Sequence, residues 1–196
     1  MRQRLILFLA AAFFAVGTMA AVSGGPTAQL RTSLEAVITT LKDGDMTAAV
    51  RRQRIADLIH QRFDFRTMSQ RALSTNWKKA STAQRQQFVD KFSQLILATY
   101  MGRIEAYTDE SIEYVAKRVK GNKAEVTTVI VSGNTEIPIR YKLRRKGGDW
   151  LVYDVVIEEV SLIRNYRSSY RDIVKKEGIA GLLARMDEKL AMLERR

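Results

Sequence analysis

Asp154 is the carboxylate whose position best suits acid–base chemistry. It interrupts an otherwise apolar run from Trp150 to Ile157, WLVYDVVI. A carboxyl group held in apolar surroundings has a raised pKa and can act as a general base. The alternative is that Asp154 lies on the outer side of a sheet or pairs with one of the many arginines, and the basic excess of the chain favours this second interpretation. Tyr141 and Tyr153 are interpreted in the same way, as amphipathic lining rather than as acids.

Other reactive groups are scarce in this sequence. His60 is the single histidine, and no second ligand stands at metal-binding spacing from it. The chain has no cysteine, which excludes thiol catalysis, thiolate metal sites and disulfide bonds. It also has no Gly-rich phosphate loop and no nucleophile elbow. We therefore predict that the protein is not an enzyme and that it uses no metal and no other cofactor.

The N-terminal segment has the organisation of a secretory signal peptide. Arg2 and Arg4 precede an apolar run over residues 5–16, and small residues follow up to Ala20. A helix of that apolar length measures roughly 18 Å, which is short against the ~30 Å hydrocarbon core of a bilayer. We predict that residues 1–20 are cleaved, that residues 21–196 form a single domain, and that the protein works outside the cytoplasm.

The chain is strongly basic. Its formal net charge of +12 becomes +10 when Arg2 and Arg4 are set aside with the signal peptide. An exported protein rarely meets nucleic acid, and the most abundant polyanions near it are phospholipid headgroups. The charge also serves solubility, which explains it equally well. We expect no nucleic-acid partner.

The hydrophobic periodicity divides the chain into helical and extended parts. Apolar residues recur at helical spacing up to about Asp109 and again after Ser161, and they alternate between Ser111 and Glu158. The helices are predicted over residues 26–42, 46–61, 64–73, 81–107, 161–176 and 179–194, and the strands over residues 111–119, 123–132, 135–145 and 150–158. This order predicts an α+β fold with helices packed on one curved, antiparallel, four-stranded sheet. Pro138 cannot donate a ladder hydrogen bond, so it indicates an edge position or a bulge.

A bent sheet that curls around helices can enclose an apolar cavity. If side chains fill that cavity it is an ordinary core, and if it stays open it binds an apolar ligand. Periodicity alone leaves both alternatives open.

Three stretches of the sequence resemble signatures of the MlaC family, also called the toluene-tolerance family. They are residues 63–73 with Trp77 and residues 81–88; residues 150–155 continuing through residues 160–167; and residues 176–182. Two departures stand out: Ser74 occupies a position where Gly is expected, and Glu158-Glu159-Val160 stands where Glu-Gly-Val is usual.

The resemblance implies a soluble, monomeric periplasmic carrier that binds phospholipid acyl chains as its cargo. Such a carrier passes lipid between an outer-membrane lipoprotein complex and an inner-membrane ABC transporter with an MCE-domain ring. A hopanoid-associated branch of the same family is one alternative. A helix-and-curved-sheet enzyme that uses Asp154 as its base is another, and an adaptor whose cavity is filled by side chains is a third.

The predicted lining of the lipid pocket comes from the apolar faces of the elements. It comprises Phe92, Tyr100, Val129, Val131, Ile139, Tyr141, Tyr153, Val155, Leu162 and Tyr166. Arg140, Lys142 and Arg144 alternate with the apolar residues of the third strand, so they lie on its other face. We expect these three cations to meet either a lipid headgroup or the acidic surface of a partner.

Overall fold

The computed structural model describes residues 24–195. The predicted signal peptide and its cleavage site fall outside these residues. The helices are α1 Pro26–Lys42, α2 Ala48–Arg62, α3 Phe65–Leu73, α4 Asn76–Lys79, α5 Thr82–Glu105 and α6 Leu162–Glu194. The strands are β1 Ser111–Lys120, β2 Lys123–Ser132, β3 Thr135–Lys146, β4 Asp149–Ile157 and β5 Val160–Ser161. No helix within residues 24–195 has the length and the apolar stretch that crossing a membrane requires.

The helix ends follow from local capping chemistry. Asp64 accepts the backbone N–H of Thr67 at 3.0 Å and so begins α3. Ser81 and Gln84 form a reciprocal capping box that begins α5, as their spacing predicts. Helix α6 is interrupted at Gly178, whose φ of 70° and ψ of −175° are not helical. The predicted break between two C-terminal helices is therefore at the expected glycine.

The strands form one antiparallel sheet in the order β1-β2-β3-β4-β5. The short β5 adds a fifth strand to the four predicted, because Val160 pairs with Ile157 across a two-residue connection. Both residues of that connection, Glu158 and Glu159, have positive φ values of 46° and 65°. Positive φ at both central positions is the geometry of a type I′ hairpin turn, which normally carries Asn or Gly.

Two bulges interrupt the register of the sheet, one at Val115 in β1 and the other at Tyr153 in β4. Pro138 is at neither bulge, and its strand, β3, is central. The Pro138 carbonyl accepts the N–H of Glu158 at 3.2 Å. The nitrogen and the carbonyl of a strand residue point to the same side, so the Pro138 nitrogen also faces β4. The ladder between β3 and β4 ends one residue later in β3, at Ile139. The proline therefore costs no ladder hydrogen bond, because the neighbouring strand has already ended.

Buried apolar side chains fall into two clusters. The helical cluster is built by α3, α5 and α6, and includes Phe65, Met68, Phe88, Phe92, Leu162, Tyr170 and Leu182. The sheet cluster joins Leu30 of α1 to one face of the sheet, and includes Val126, Tyr141, Leu143, Trp150, Val152 and Val155. Phe63, between α2 and α3, packs against both clusters.

Candidate functional site

One face of the sheet is apolar and lies against α1. Tyr141 pairs with Val155 across β3 and β4, and Ile139 packs on the edge of the same sheet cluster. The structure thus brings these three predicted lining residues together. It places Val129 and Val131 on the opposite face, because Val129 pairs with Pro138 and successive residues of a strand alternate in direction.

The remaining predicted lining residues belong to the helical cluster. Phe92 and Leu162 are buried there, while Tyr100 and Tyr166 are partly buried at its margin. The ring of Phe92 meets that of Tyr166 edge-on, with centroids 5.2 Å apart. Tyr153 joins this cluster because the bulge in β4 removes it from the ladder. The guanidinium of Arg71 lies over the Tyr153 ring, 4.4 Å from its centroid.

Each cluster has half-buried apolar side chains packed at its margin. From these we define the seam, which comprises Ile59, Phe63, Tyr100 and Tyr166 on the helical side and Leu34, Tyr114, Ile139 and Ile157 on the sheet side. Phe63 is the member common to both, and the N–H of the next residue, Asp64, donates to the Val152 carbonyl at 2.8 Å. Sequence reasoning missed Phe63 because its position between two helices has no amphipathic period.

The deepest predicted lining residues are enclosed by the protein's own side chains. Phe92 is 0% exposed and Tyr141 is 8% exposed. Such packing is expected if the protein is an adaptor. It is also expected of a carrier without cargo whose two packed layers have closed on each other. The two alternatives differ in whether the seam opens.

Asp154 is held by three donor groups within the chain. Its carboxylate accepts the Ser161 hydroxyl at 3.1 and 2.9 Å and the backbone N–H of Ile163 at 3.2 Å. Lys142 lies 3.3 Å from the same group. With three donors around it and only 6% of its surface exposed, Asp154 connects β4 to the first turn of α6 and is poorly accessible to a substrate. The interpretation as a paired, structural carboxylate fits this geometry, with lysine in place of the expected arginine.

The basic residues of β3 also have partners within the chain. Arg140 donates to Glu159 at 2.8 Å and lies 3.8 Å from Glu125. Arg144 donates to the Thr67 hydroxyl at 3.1 Å. Together with Lys142, these residues share the sheet face opposite Ile139, as the alternation predicts.

The tyrosines near the site are held neutral. Burial raises the pKa of Tyr141 to about 12, against the opposing effect of a hydrogen bond with Thr128. Burial also raises the pKa of Tyr170, whose hydroxyl has no hydrogen-bond partner among the described residues. Neither phenol is an acid or a base at neutral pH. His60 is exposed, with its ring centroid 4.9 Å from that of Phe65, and no group of three metal-ligating side chains occurs within residues 24–195.

Comparison with known proteins decides the family. The model of the MlaC protein family matches residues 31–188, which is most of the chain. The chain belongs to the MlaC family. This confirms the resemblance carried by the three sequence signatures.

Two curated members of the MlaC family resemble parts of this chain. The intermembrane phospholipid transport system binding protein MlaC of Haemophilus influenzae is 27% identical over 124 residues, which are 60% of this chain and 58% of that protein. The toluene tolerance protein ttg2D of Pseudomonas putida is 25% identical over 103 residues, which are 52% of this chain and 48% of that protein. The match therefore spans about half of each relative's length.

A solved structure shares the fold of this MlaC-family chain more completely. It is the phospholipid-binding protein from Ralstonia solanacearum, determined in complex with a phospholipid. The TM-score is 0.79 at 26% identity, and the match covers 87% of this chain and 99% of the other. The α+β prediction is thereby confirmed, with five strands instead of four.

Both departures from the MlaC signatures lie at backbone positions that favour glycine. Ser74 has φ 53° and ψ −125°, and Glu159 has φ 65°. Side chains with a Cβ rarely adopt such conformations. Ser74 and Glu159 are therefore strained in their turns.

Proposed function

We propose that this protein is a periplasmic lipid carrier that shelters phospholipid acyl chains. The observation that carries the proposal is its likeness, over 87% of the chain, to a protein solved with a bound phospholipid. Membership of the MlaC family and the name of the Haemophilus relative support transport as the purpose of binding. The cargo is a phospholipid, and we propose no cofactor.

The energetics explain why such a carrier is needed. Exposing one sixteen-carbon chain to water costs about 12 kcal/mol at about 0.8 kcal/mol per CH₂ group. Unassisted desorption from a membrane is correspondingly slow. A protein that covers the chains with apolar side chains lowers this barrier.

We place the acyl chains at the seam, along the margins of the two clusters. The seam supplies large apolar side chains that are only half buried, including Phe63, Ile139 and Tyr166. Because the innermost lining residues are already enclosed, a chain enters by parting the two clusters. Each cluster has its own buried core, and the opening must break hydrogen bonds that join the two, among them those from Asp64 to Val152 and from Ser161 to Asp154.

We assign the part of the basic face of β3 around Arg140 to partner contact. Arg140, Lys142 and Arg144 lie on the sheet face away from Ile139, where Lys142 pairs with Asp154 and Arg144 donates to Thr67. The half-exposed Arg140 is the best placed of the three to meet an acidic protein surface. The partners we propose are the inner-membrane MCE-domain ABC transporter complex and the outer-membrane lipoprotein complex, between which a monomer would shuttle lipid.

We propose no catalytic role for this site. The residue best suited to general-base chemistry, Asp154, is held by Ser161, Lys142 and the N–H of Ile163. The buried tyrosines stay protonated at neutral pH, as the raised pKa of Tyr141 indicates.

The experiment is a lipid inventory followed by an uptake assay. Protein purified from a membrane-containing host is extracted with organic solvent, and the extract is quantified by mass spectrometry. We expect stoichiometric phospholipid, and transfer of labelled phospholipid from vesicles to delipidated protein. A hopanoid as the main extracted species would identify the alternative cargo, and neither cargo nor uptake would support the adaptor.

A further inference from the structure

A cationic groove lies on the outside of the molecule, where α6 passes the connection between α3 and α4. Its volume is about 310 Å³. The residues that line it are Leu73, Ser74, Thr75, Asn76, Arg164, Arg167, Ser168 and Arg171. None of these eight residues is acidic, and seven of them carry hydrogen-bond donors on their side chains. The groove is therefore a concave surface in which hydrogen-bond donors are combined with apolar atoms of the same side chains.

The arginines of the groove share one side of α6. Arg164, Arg167 and Arg171 are spaced by three and four residues, which places them on one face of a helix. The Nε of Arg167 donates to the Arg71 carbonyl at 2.9 Å, and this bond fixes the guanidinium against the end of α3. Arg171 has an exposed ion pair with Asp172, at 3.3 Å, which solvent screens strongly. The positive charge of the groove is therefore largely uncompensated.

The opposite wall is a strained turn. Ser74 adopts φ 53° and ψ −125°, close to the first central position of a type II′ turn, which favours glycine. This turn holds three consecutive polar residues, Ser74, Thr75 and Asn76, against the arginines of α6. Strained, non-glycine residues of this kind concentrate at ligand-binding positions.

We propose that this groove is a phosphate-binding site. Guanidinium groups match the oxygens of phosphate in fork geometry, and the hydroxyl and amide groups of the turn supply further donors. The volume is at the lower end of the range for small-molecule sites, so it suits a compact phosphate ester better than the broad acidic surface of a protein. The phosphate has two possible sources with the same chemistry, a phospholipid headgroup at a membrane surface and a free phosphate ester.

The proposed site goes beyond lipid carriage and is independent of it. The residues that line the groove and those that define the seam have no member in common. Binding of phosphate at the groove can therefore fail while the seam still holds lipid, and the reverse is also true.

The test compares two double variants that lose the same charge. The groove variant is Arg164→Gln with Arg171→Gln; Arg167 is retained because it holds the Arg71 carbonyl. The control is Arg54→Gln with Lys189→Gln, two exposed cations outside the groove. Inorganic phosphate and glycerol phosphate are titrated while the amide NMR signals of Ser74, Thr75 and Asn76 are followed. Sedimentation with phosphatidylcholine vesicles and with phosphatidylcholine–phosphatidylglycerol vesicles provides the membrane arm.

We expect the soluble phosphates to shift the amides of the turn, and the groove variant to bind them roughly tenfold more weakly than the control does. If the headgroup is the natural source, the groove variant also binds phosphatidylglycerol vesicles about 25-fold more weakly, at about fivefold for each arginine. A loss confined to the soluble phosphates identifies a free ester as the source.

Equal behaviour of the groove variant and the control with every probe would overturn the assignment and leave an acidic protein surface as the counterpart of the groove. Bound lipid is quantified in the same samples. If both variants contain as much lipid as the wild-type protein, the failure of the phosphate site leaves the proposed carrier function unaffected. The carrier function is contradicted by a lack of lipid in the wild-type protein.

Discussion

The Ser161 hydroxyl donates to the Asp154 carboxylate, and the same oxygen accepts the backbone N–H of Arg164 at 3.1 Å. One serine therefore caps α6 and ties its first turn to β4. The buried carboxylate in turn holds the serine in its rotamer, and it also accepts the backbone N–H of Ile163, so that two hydrogen bonds join the sheet to the helix.

Replacing Asp154 with Asn should lower the free energy of unfolding. Asn presents one acceptor oxygen and an NH₂ group, so it loses the charge beside Lys142 and sets a donor against other donors. We expect a loss of about 1.5–3 kcal/mol, the usual size for hydrogen bonds to a charged group. Urea unfolding followed by tryptophan fluorescence measures it. Asp45→Asn, at an exposed position, is the control, and equal stability of the two variants would contradict the structural role of Asp154.

Filling the seam from the sheet side should block the cargo. Ile139→Trp adds bulk on the apolar face, whereas Val129→Trp adds the same kind of side chain to the opposite face, one residue away from the partner of Ile139. Both changes cost about 1–3 kcal/mol if they overpack. We expect Ile139→Trp alone to reduce the bound lipid several-fold, as measured by mass spectrometry of extracts from folded protein. The opposite pattern would move the acyl chain to the face with Val129 and Val131.

Relieving the backbone strain at Ser74 should stabilise the protein. Glycine adopts the observed dihedral angles freely, so the folded state loses about 1–3 kcal/mol of strain. The greater conformational entropy of glycine in the unfolded chain opposes this gain by roughly 0.5–1 kcal/mol. The net gain of about 1 kcal/mol corresponds to a rise in Tm of about 2–4 °C for a chain of this size. Ser74→Ala is the matched control, because it removes the hydroxyl and retains the Cβ. If both variants unfold at the same temperature, backbone strain at Ser74 does not lower the stability of the protein.

Stability should fall in alkaline solution through Tyr141. Its folded pKa of about 12 lies above the ordinary value of 10.0, so the unfolded chain loses the phenolic proton first. The contribution of Tyr141 to the free energy of unfolding is fully present below pH 10. It declines by about 2–3 kcal/mol as the pH rises toward 12. Tyr141→Phe should remove this part of the decline, as shown by urea unfolding at a series of alkaline pH values. An identical pH dependence in both proteins would show that Tyr141 is not buried as described.

The helix boundaries were predictable because their signals are local. Asp64 and Ser81 cap helices through donors three residues away, and Gly178 ends a helix by its own backbone conformation. Each of these signals lies within one turn of the boundary that it sets, so the sequence alone contains it.

The site was harder to predict because it depends on register between distant strands. Tyr141 and Tyr153 have the same chemistry, yet the bulge in β4 sends Tyr153 to the helical cluster and leaves Tyr141 in the sheet cluster. Val129 was grouped with Ile139 because both are apolar, whereas their pairing partners place them on opposite faces. A shift of one residue reverses the side of the sheet that a side chain occupies, and periodicity within one strand does not reveal it.

The fifth strand was missed for a related reason. Glu158 and Glu159 are unusual residues for a tight hairpin, so the connection they form has no recognisable turn signal. The ion pair of Glu159 with Arg140, at 2.8 Å, is one interaction that holds this turn in place. That contact joins residues of different strands and is invisible in the sequence.

The division of the apolar side chains into two clusters that meet at Phe63 also shapes the dynamics of the protein. A molecule with one continuous core must loosen everywhere to admit a ligand, whereas a junction between two clusters can open locally at a lower free energy than that of global unfolding. Backbone amides around Phe63 and Val152 should then exchange with deuterium by a local opening, while those beneath Phe88 and Leu143 exchange only when the whole chain unfolds.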